Sequence, residues 1–379
     1  MSHLIDIETD TVYTPSGKYG ETWHGLQVTL NGRIEPDGSN IPLVFCPIVQ
    51  CGMRPDFEAE ICDVPEDLRG ELDLSGWKLL LADCRKGKSG KTHPLYIPKK
   101  GYQIHQNRVL FDTLIQSIEI VLGNSAEITG YEIATVGTLG SYSQFFVSIS
   151  LKGGNTFTLG EGELHTVFYN LISSHNGLVS SSRMISAVRI VCMNTVQMSL
   201  DDSEGSGTNA RIPHTKNSLE LITPAVFARD LVLWNNQKSN YQKTLIALRA
   251  EKMTLDGFRA FATGVFTAED SDDISVCSFN RVSELEVFFQ RGKGNKGKTR
   301  YDALNAFTEY FTGGNGVGNP KRVTPTKRIA SANFGRGNEW KLKALSMLSD
   351  EVEFPNTVKR GEILYTDRLA VESKKTTVN

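Results

Sequence analysis

Residues 141–151 read SYSQFFVSISL, and they carry the clearest strand pattern in the chain. Apolar side chains occupy every second position, at Phe145, Val147, Ile149 and Leu151. A period of two places alternate side chains on one face of a β-strand. The pattern therefore predicts a strand whose apolar face packs on a core.

Neighbouring segments extend this strand into a sheet. An apolar run over 128–136 precedes it, and runs over 157–159 and 164–172 follow it. A glycine-containing turn at 138–140 joins 128–136 to the strand at 141–151, and another at 153–155 joins that strand to 157–159. Short apolar runs joined by such turns are typical of antiparallel sheets, and we predict an antiparallel β meander here.

A helix is predicted on each side of the meander. In 107–122, apolar residues recur at helical spacing and Gly123 ends the pattern. These apolar residues are Leu110, Leu114, Ile118 and Val121. After the meander, a helix is predicted from about Ala187 to Leu200, followed by a polar break.

The C-terminal half is predicted to be mostly helical. The expected helices lie near 217–236, 238–251, 254–264, 279–290, 300–312 and 339–349, with a frayed tail from Lys374. The expected fold class is α+β, an antiparallel β meander with a packed helix followed by this helical half. We expect an irregular β-rich region over 1–106, an α+β core over 107–207 and a helical region over 208–372.

The composition is that of a globular protein. The chain has 379 residues, of which 39% are hydrophobic and 22% are charged. No apolar run approaches the roughly 20 residues that cross a bilayer. The N-terminal segment has acids and no lysine or arginine over 1–10, unlike a secretory signal. Six cysteines are too few for a disulfide scaffold, so we expect reduced thiols in a soluble, cytoplasmic protein.

Positive charge is concentrated in two parts of the chain. Residues 1–75 contain fourteen acids and four lysines or arginines, whereas 85–108 contain seven basic residues and no acid. Residues 291–343 contain twelve basic residues and three acids. Such segments can build a basic surface for a polyanion on a protein whose net charge is only -2.

The segment GKSGKT at 87–92 invites comparison with a phosphate-binding loop. Arg85 stands where that motif requires its first glycine, and His93-Pro94 follows where a helix must begin. We therefore predict a basic, flexible surface hairpin rather than a nucleotide site.

Other candidate catalytic or metal-binding residues lack partners at useful spacing. The candidate zinc ligands contain no Cys-x-x-Cys pair, so we expect their cysteines to be single buried thiols. These candidates are Cys46, Cys51, Cys62, Cys84 and His93. No motif gives His24 a catalytic partner, and Asp270, Asp272 and Asp273 are typical of a solvated loop. We expect no enzyme activity, no cofactor and no metal.

The strongest chemical signal is the basic, glycine-rich segment QRGKGNKGKTR at 290–300. Glycine keeps a backbone mobile and allows close approach to phosphates. Lysine and arginine bind nucleic acid without sequence preference, because they release counterions. Thr299 is expected to cap the next helix, with Asp302 three residues on. A purely solubilising loop is the alternative interpretation.

Further cations extend this candidate nucleic-acid site towards the C-terminus, and the 85–100 segment adds others. The candidate binding residues are Arg291, Lys293, Lys296, Lys298, Arg300, Lys321, Arg322, Lys327, Arg328, Arg336, Lys341, Lys343, Lys88 and Lys91. Aromatic side chains exposed among these charges would stack on bases.

Several stretches resemble a family of phage- and plasmid-like proteins with a domain of unknown function, number nine-three-two. The matching segments are Trp23–Leu26, Ser174–Gly177, Arg189–Thr195, Arg211–Thr215, Tyr301–Tyr310, Phe334–Gly337 and Lys341–Leu345. One departure is Asn176-Gly177-Leu178, where the family usually has Asp-Gly-Ser. The resemblance implies residence on a phage, prophage or plasmid, and it implies no particular activity.

The order of a β meander and then a helix is also similar to that of Rad-fifty-two-type phage single-strand annealing proteins. Together these features predict binding, extended by this analogy to annealing, of single-stranded DNA in phage or plasmid replication and recombination. The expected partners are single-stranded DNA, further copies of this chain in a homo-oligomer, and a phage, plasmid or host recombination protein, with no membrane.

Two alternatives belong to other classes of protein. One is a mobile-element accessory protein that binds a host protein, in defence evasion or plasmid establishment. The other is a nuclease, which would need clustered carboxylates for Mg²⁺, and the sequence shows no such cluster at a recognisable spacing.

Overall fold

The protein is described from a computed structural model. The structure describes residues 11–15, 27–30, 32–52, 78–85, 90–99, 101–124, 128–140, 142–154, 156–159, 164–177, 180–189, 194–197, 210–268, 270–292, 295–312 and 336–377. The predicted motif Trp23–Leu26, His24, Cys62 and the polar break at 201–207 lie outside these residues. Among the described helices, none is both long and apolar enough to cross a membrane.

The strands of the described residues are β1 (Thr11–Pro15), β2 (Gln27–Leu30), β3 (Ile48–Gly52), β4 (Lys78–Asp83), β5 (Thr92–Tyr96), β6 (Ile128–Leu139), β7 (Gln144–Gly153), β8 (Thr156–Thr158), β9 (Leu164–Ser174), β10 (Ser181–Arg189), β11 (Asn194–Gln197) and β12 (Ala210–Ile212). The α-helices are α1 (Asn107–Leu122), α2 (Pro224–Ala250), α3 (Leu255–Phe266), α4 (Val276–Arg291), α5 (Arg300–Thr312), α6 (Arg336–Ser349) and α7 (Glu353–Thr377). Short 3-10 helices lie at Pro42–Val44 and Ser218–Leu221.

Two compact units divide the chain, and each draws on separate stretches of sequence. The first comprises Met1–Lys152, Tyr169–Met184 and Asp202–Val232. The second comprises Gly153–Phe168, Ile185–Asp201 and Leu233–Asn379. The first unit is built on strands and the second mainly on helices, so the predicted α+β class is confirmed.

The larger sheet places the predicted strands β6, β7 and β9 side by side, whereas β8, expected between β7 and β9, pairs with β9 outside this order. Its strand order is β11-β10-β9-β7-β6-β1-β2, and β12 pairs antiparallel with the start of β10. β1 pairs antiparallel with β6 and parallel with β2. The predicted strand is β7, and its apolar face is 0–1% exposed at Phe145, Val147, Ile149 and Leu151. Alternation thus identified the buried face correctly.

Helix α1 belongs to the first unit, and it buries the predicted apolar face there. Leu110, Leu114 and Ile118 are completely buried. Phe45 contacts the rings of Phe111 and Phe145 at centroid distances of 5.2 and 6.2 Å. The boundaries of α1 agree with those predicted, and Gly123 is its C-terminal cap.

A small antiparallel sheet in the first unit has the order β3-β4-β5. The β4–β5 pair is the predicted basic hairpin, and its strand β5 stands where a phosphate-binding loop would require a helix. The expectation of reduced thiols is wrong for Cys46 and Cys84, which form a disulfide with a Cα–Cα distance of 5.1 Å. Cys51 is an exposed free cysteine, not a buried one.

The second unit is a helical assembly with an aromatic core. Phe258 of α3 stacks on Phe289 of α4, with ring centroids 4.3 Å apart and the ring planes nearly parallel. Phe307 of α5 contacts Phe261 edge-on at 5.9 Å. Helices α3 and α7 pack closely because Gly361 of α7 has no side chain. A Cβ at this position would overlap the carbonyl group of Ala260 in α3.

Some predicted helices differ from those observed. The helix predicted from about Ala187 to Leu200 is wrong, because 181–189 and 194–197 are the paired strands β10 and β11. This stretch is rich in β-branched residues, which favour strands. The two helices predicted over 217–236 and 238–251 are one helix, α2. Helix α7 was not predicted, and it continues to Thr377 past the expected frayed end.

Candidate functional site

The basic, glycine-rich segment connects α4 to α5 in the second unit. Helix α4 ends at Arg291, and α5 begins at Arg300. The predicted cap is present: the Thr299 hydroxyl accepts the backbone N–H of Asp302 at 3.1 Å, and the Asp302 carboxylate accepts that of Thr299 at 3.1 Å. This reciprocal pair is a capping box.

The same carboxylate also fixes the backbone of the loop. Asp302 accepts the N–H of Lys296 at 3.3 Å and that of Lys298 at 2.9 Å. Gly297 lies between these lysines with a φ of +64°, a conformation that glycine adopts without strain. The free, mobile backbone expected for the loop is therefore replaced, over 295–299, by a hydrogen-bonded turn.

Exposed cations surround this turn. Arg291, Lys296 and Lys298 are exposed, and none of them pairs with an acid among the described residues. Lys252 forms an isolated antiparallel β-bridge with Thr299, so Lys252 is a fourth exposed cation, at the base of the turn. We call Lys252, Arg291, Lys296 and Lys298 the cationic loop surface. Glu251 is an acid at its edge, with 57% of its side chain exposed.

Three other predicted cations serve the packing of the second unit. The Arg300 guanidinium lies 3.7 Å from the ring centroid of Phe354 and donates to the Leu348 carbonyl at 3.3 Å. Lys341 is completely buried, and burial lowers its pKa to about 7. Lys343 donates to the Val265 carbonyl at 2.9 Å. None of the three adds an exposed charge to the cationic loop surface.

Each of the remaining predicted cations either belongs to the first unit or has a side chain outside the described part of the structure. Lys91 is exposed on the β4–β5 hairpin of the first unit. Arg336 begins α6, but its side chain lies outside the described part of the structure. Lys88, Lys293, Lys321, Arg322, Lys327 and Arg328 lie outside the described residues.

A second polar cluster lies buried in the first unit. His105 stands between two serines, with Nδ1 2.8 Å from the Ser181 hydroxyl and Nε2 2.7 Å from the Ser218 hydroxyl. Ser218 donates its own proton to the Thr215 carbonyl at 2.6 Å, so it accepts from Nε2–H of His105. Nδ1 then accepts from Ser181. These bonds hold His105 neutral in one tautomer.

Two further histidines complete this histidine cluster. His214 stacks between Tyr102 and His105, with ring centroids 4.6 and 4.1 Å away. The Tyr102 hydroxyl and His175 Nδ1 are 3.1 Å apart. Burial, and then the neighbouring His214, lower the pKa of His105 and that of His175 to about 3. Burial also lowers the pKa of His214, so all three imidazoles are neutral at neutral pH.

The chemistry open to the histidine cluster is narrow. A serine–histidine pair can serve nucleophilic catalysis when a substrate reaches the hydroxyl. Ser181 and Ser218 are each 1% exposed, so their hydroxyls are closed to a substrate. Within the described residues, no three or more histidine, cysteine or acidic side chains are grouped as metal ligands. The cluster instead joins separate chain segments through buried hydrogen bonds.

Sequence reasoning did not assemble this cluster or include Lys252. A signal for the cluster was present, since His175 and His214 each stand in a segment that resembles the family. Lys252 follows α2, far in sequence from the glycine-rich loop, and only the pairing with Thr299 brings the two together.

The fold and these two sites define an α+β protein with a buried histidine cluster and a cationic loop surface. The chain belongs to the family described as a domain of unknown function (DUF932), whose model matches residues 94–333. The matched range contains the whole histidine cluster and the whole cationic loop surface. Comparison with curated proteins gave no match, and comparison with solved structures gave none.

Proposed function

We propose that this protein binds single-stranded DNA through the cationic loop surface. The observation that carries the proposal is the set of four exposed cations on and beside one hydrogen-bonded turn, with Lys296 and Lys298 on the turn itself. A fixed set of lysine and arginine side chains neutralises phosphates and releases counterions, which supplies affinity for any sequence. Annealing of two strands, a homo-oligomer and a setting in phage or plasmid recombination are the extensions of this proposal.

Aromatic rings beside the loop favour a single strand over a duplex as the ligand. Phe288 and Tyr310 are half-buried and contact one another, with centroids 5.9 Å apart. The Phe288 carbonyl accepts from Asn295 of the loop at 3.0 Å, so the backbone of Phe288 lies next to the turn. Unpaired bases can stack on such rings, whereas the bases of a duplex are already stacked.

Salt dependence tests the proposal directly. Four phosphate contacts give a log–log slope of about -2.8, so affinity should fall about 50-fold between roughly 50 and 200 mM salt. Changing Lys296 and Lys298 together to Gln should reduce the slope by about 1.4, because two contacts are lost. Fluorescence anisotropy of a labelled oligonucleotide measures both quantities.

A matched control removes two exposed lysines elsewhere in the second unit. Lys243 of α2 and Lys359 of α7 are exposed, and neither belongs to the cationic loop surface. The Lys243→Gln, Lys359→Gln variant has the same net charge as the loop variant and should keep the parental slope. Equal slopes in both variants would reject the loop as the binding surface.

A further inference from the structure

Asp302 contacts the loop more extensively than a helix cap requires. A capping box needs the bonds between Thr299 and Asp302, and both are present at 3.1 Å. The carboxylate also accepts the N–H groups of Lys296 and Lys298, two of the four residues of the cationic loop surface. Asp302 itself is only 6% exposed, so this carboxylate faces the loop backbone rather than solvent.

Other bonds close the turn from the opposite side. The Asn295 side chain donates to the carbonyls of Phe288 and Asp302 at 3.0 and 3.2 Å. The carbonyl of Lys298 accepts the N–H of Met253 at 2.9 Å. The backbone that carries the cations is therefore fixed to α4, to α5 and to the segment after α2.

We propose that Asp302 is a positioning residue, which holds Lys296 and Lys298 at a fixed separation for contact with a phosphate backbone. This inference rests on the proposed function and adds a mechanism to it. A loop that is already ordered loses less conformational freedom when it binds, and this preorganisation strengthens binding. The loop amides are occupied by the carboxylate, so phosphates would be contacted by the lysine side chains.

Charge and positioning predict opposite effects of removing Asp302. A carboxylate near the lysines repels phosphates, so its loss as a charge alone would tighten binding. Its loss as a positioning group would free the loop and weaken binding. Asp302→Ala removes every carboxylate bond, whereas Asp302→Asn keeps one oxygen acceptor. Positioning therefore predicts affinity in the order parent, Asn variant, Ala variant.

The experiment measures binding of a single-stranded oligonucleotide by anisotropy at low salt. We expect Asp302→Ala to bind about threefold to tenfold more weakly than the parent, the cost of ordering one or two side chains. Glu251→Gln is the control, since it removes an exposed carboxylate beside the surface without touching the loop amides. That variant should bind as tightly as the parent or more tightly.

Hydrogen exchange supplies a readout that does not depend on DNA. The amides of Lys296, Lys298 and Thr299 should be protected in the parent. All three should exchange faster in Asp302→Ala, and those that lose their acceptor oxygen should exchange faster in Asp302→Asn. Circular dichroism and thermal melting test whether the variants are folded. If Asp302→Ala is not folded, Asp302→Asn alone is compared with the parent.

Two results would overturn the inference. One is tighter binding by the Asp302 variants, and the other is unchanged protection of the three amides. A parent protein that binds no oligonucleotide at low salt defeats the proposed function instead. The exchange measurement would still determine whether Asp302 fixes the loop, so the two failures are distinguishable.

Discussion

At the residue scale, the histidine cluster is held together by hydrogen bonds of buried imidazoles that burial keeps neutral. His105 accepts a proton from Ser181 on one nitrogen and donates one to Ser218 on the other. A second proton on His105 would place a charge in a buried site and would oblige the Ser181 hydroxyl to accept instead of donate. Burial in the folded protein disfavours the charged form of each ring.

Burial of neutral histidines predicts that the stability of the folded protein depends on pH. The unfolded chain protonates its histidines below about pH 6.5, whereas the pKa of His105 and that of His175 in the folded protein are about 3. The contribution of these two histidines to the free energy of unfolding is therefore fully present above about pH 6.5, and it is lost as the pH is lowered towards 3. The loss is about 1.4 kcal/mol per pH unit for each histidine, or about 4 kcal/mol for both at pH 5.

Denaturant unfolding between about pH 7.5 and 5 measures this loss, in a range where most carboxylates stay ionised. His105→Gln should be less stable than the parent at neutral pH and should lose about half of the pH dependence. His93→Gln is the control, because it removes a half-buried histidine outside the cluster. A free energy of unfolding that does not change over this range would contradict burial of neutral histidines.

The disulfide shows what sequence can and cannot reveal about single residues. Ile48 pairs with Ala82, and in an antiparallel ladder the residues two positions beyond each end, Cys46 and Cys84, then face one another. The two cysteines are 38 residues apart, and nothing in their spacing indicates this register. Burial of Phe145, by contrast, followed from alternation alone.

At the element scale, patterns with a strong period were predicted well. The amphipathic face of α1 and the alternation in β7 are local features, and both elements lie where the sequence placed them. The stretch around Ala187 was assigned to the wrong element, because a short run of apolar residues fits a strand as well as a helix. The pairing of Ala187 with Val196, in strand β11 of the same predicted stretch, decides in favour of the strand.

The buried face of β7 can be tested by a single substitution. Val147 is 1% exposed, so Val147→Asp would bury a charge without a partner. We expect a loss of about 3–5 kcal/mol in the free energy of unfolding, measured in urea. Thr156→Asp, at an exposed position of β8, should change stability by less than about 0.5 kcal/mol. A Val147→Asp protein as stable as the parent would show that this face is not in the core.

At the scale of the whole molecule, the two sites lie in different units. The histidine cluster is part of the first unit, and the cationic loop surface is part of the second. The units interleave along the chain, so composition and local pattern could not separate them. The basic loop was predictable because its residues are contiguous, whereas the histidine cluster needed the fold of the first unit to bring its segments together.

The central claim is that this protein binds single-stranded DNA, and one competition measurement tests it most directly. A labelled single-stranded oligonucleotide is bound at low salt, and unlabelled single-stranded DNA, duplex DNA and RNA of equal length then compete with it. We predict that single-stranded DNA competes more effectively than the duplex, since its bases are free to stack, and that binding weakens steeply with salt. Absence of binding to all three at low salt would contradict the account, and a protein partner would then become the leading hypothesis.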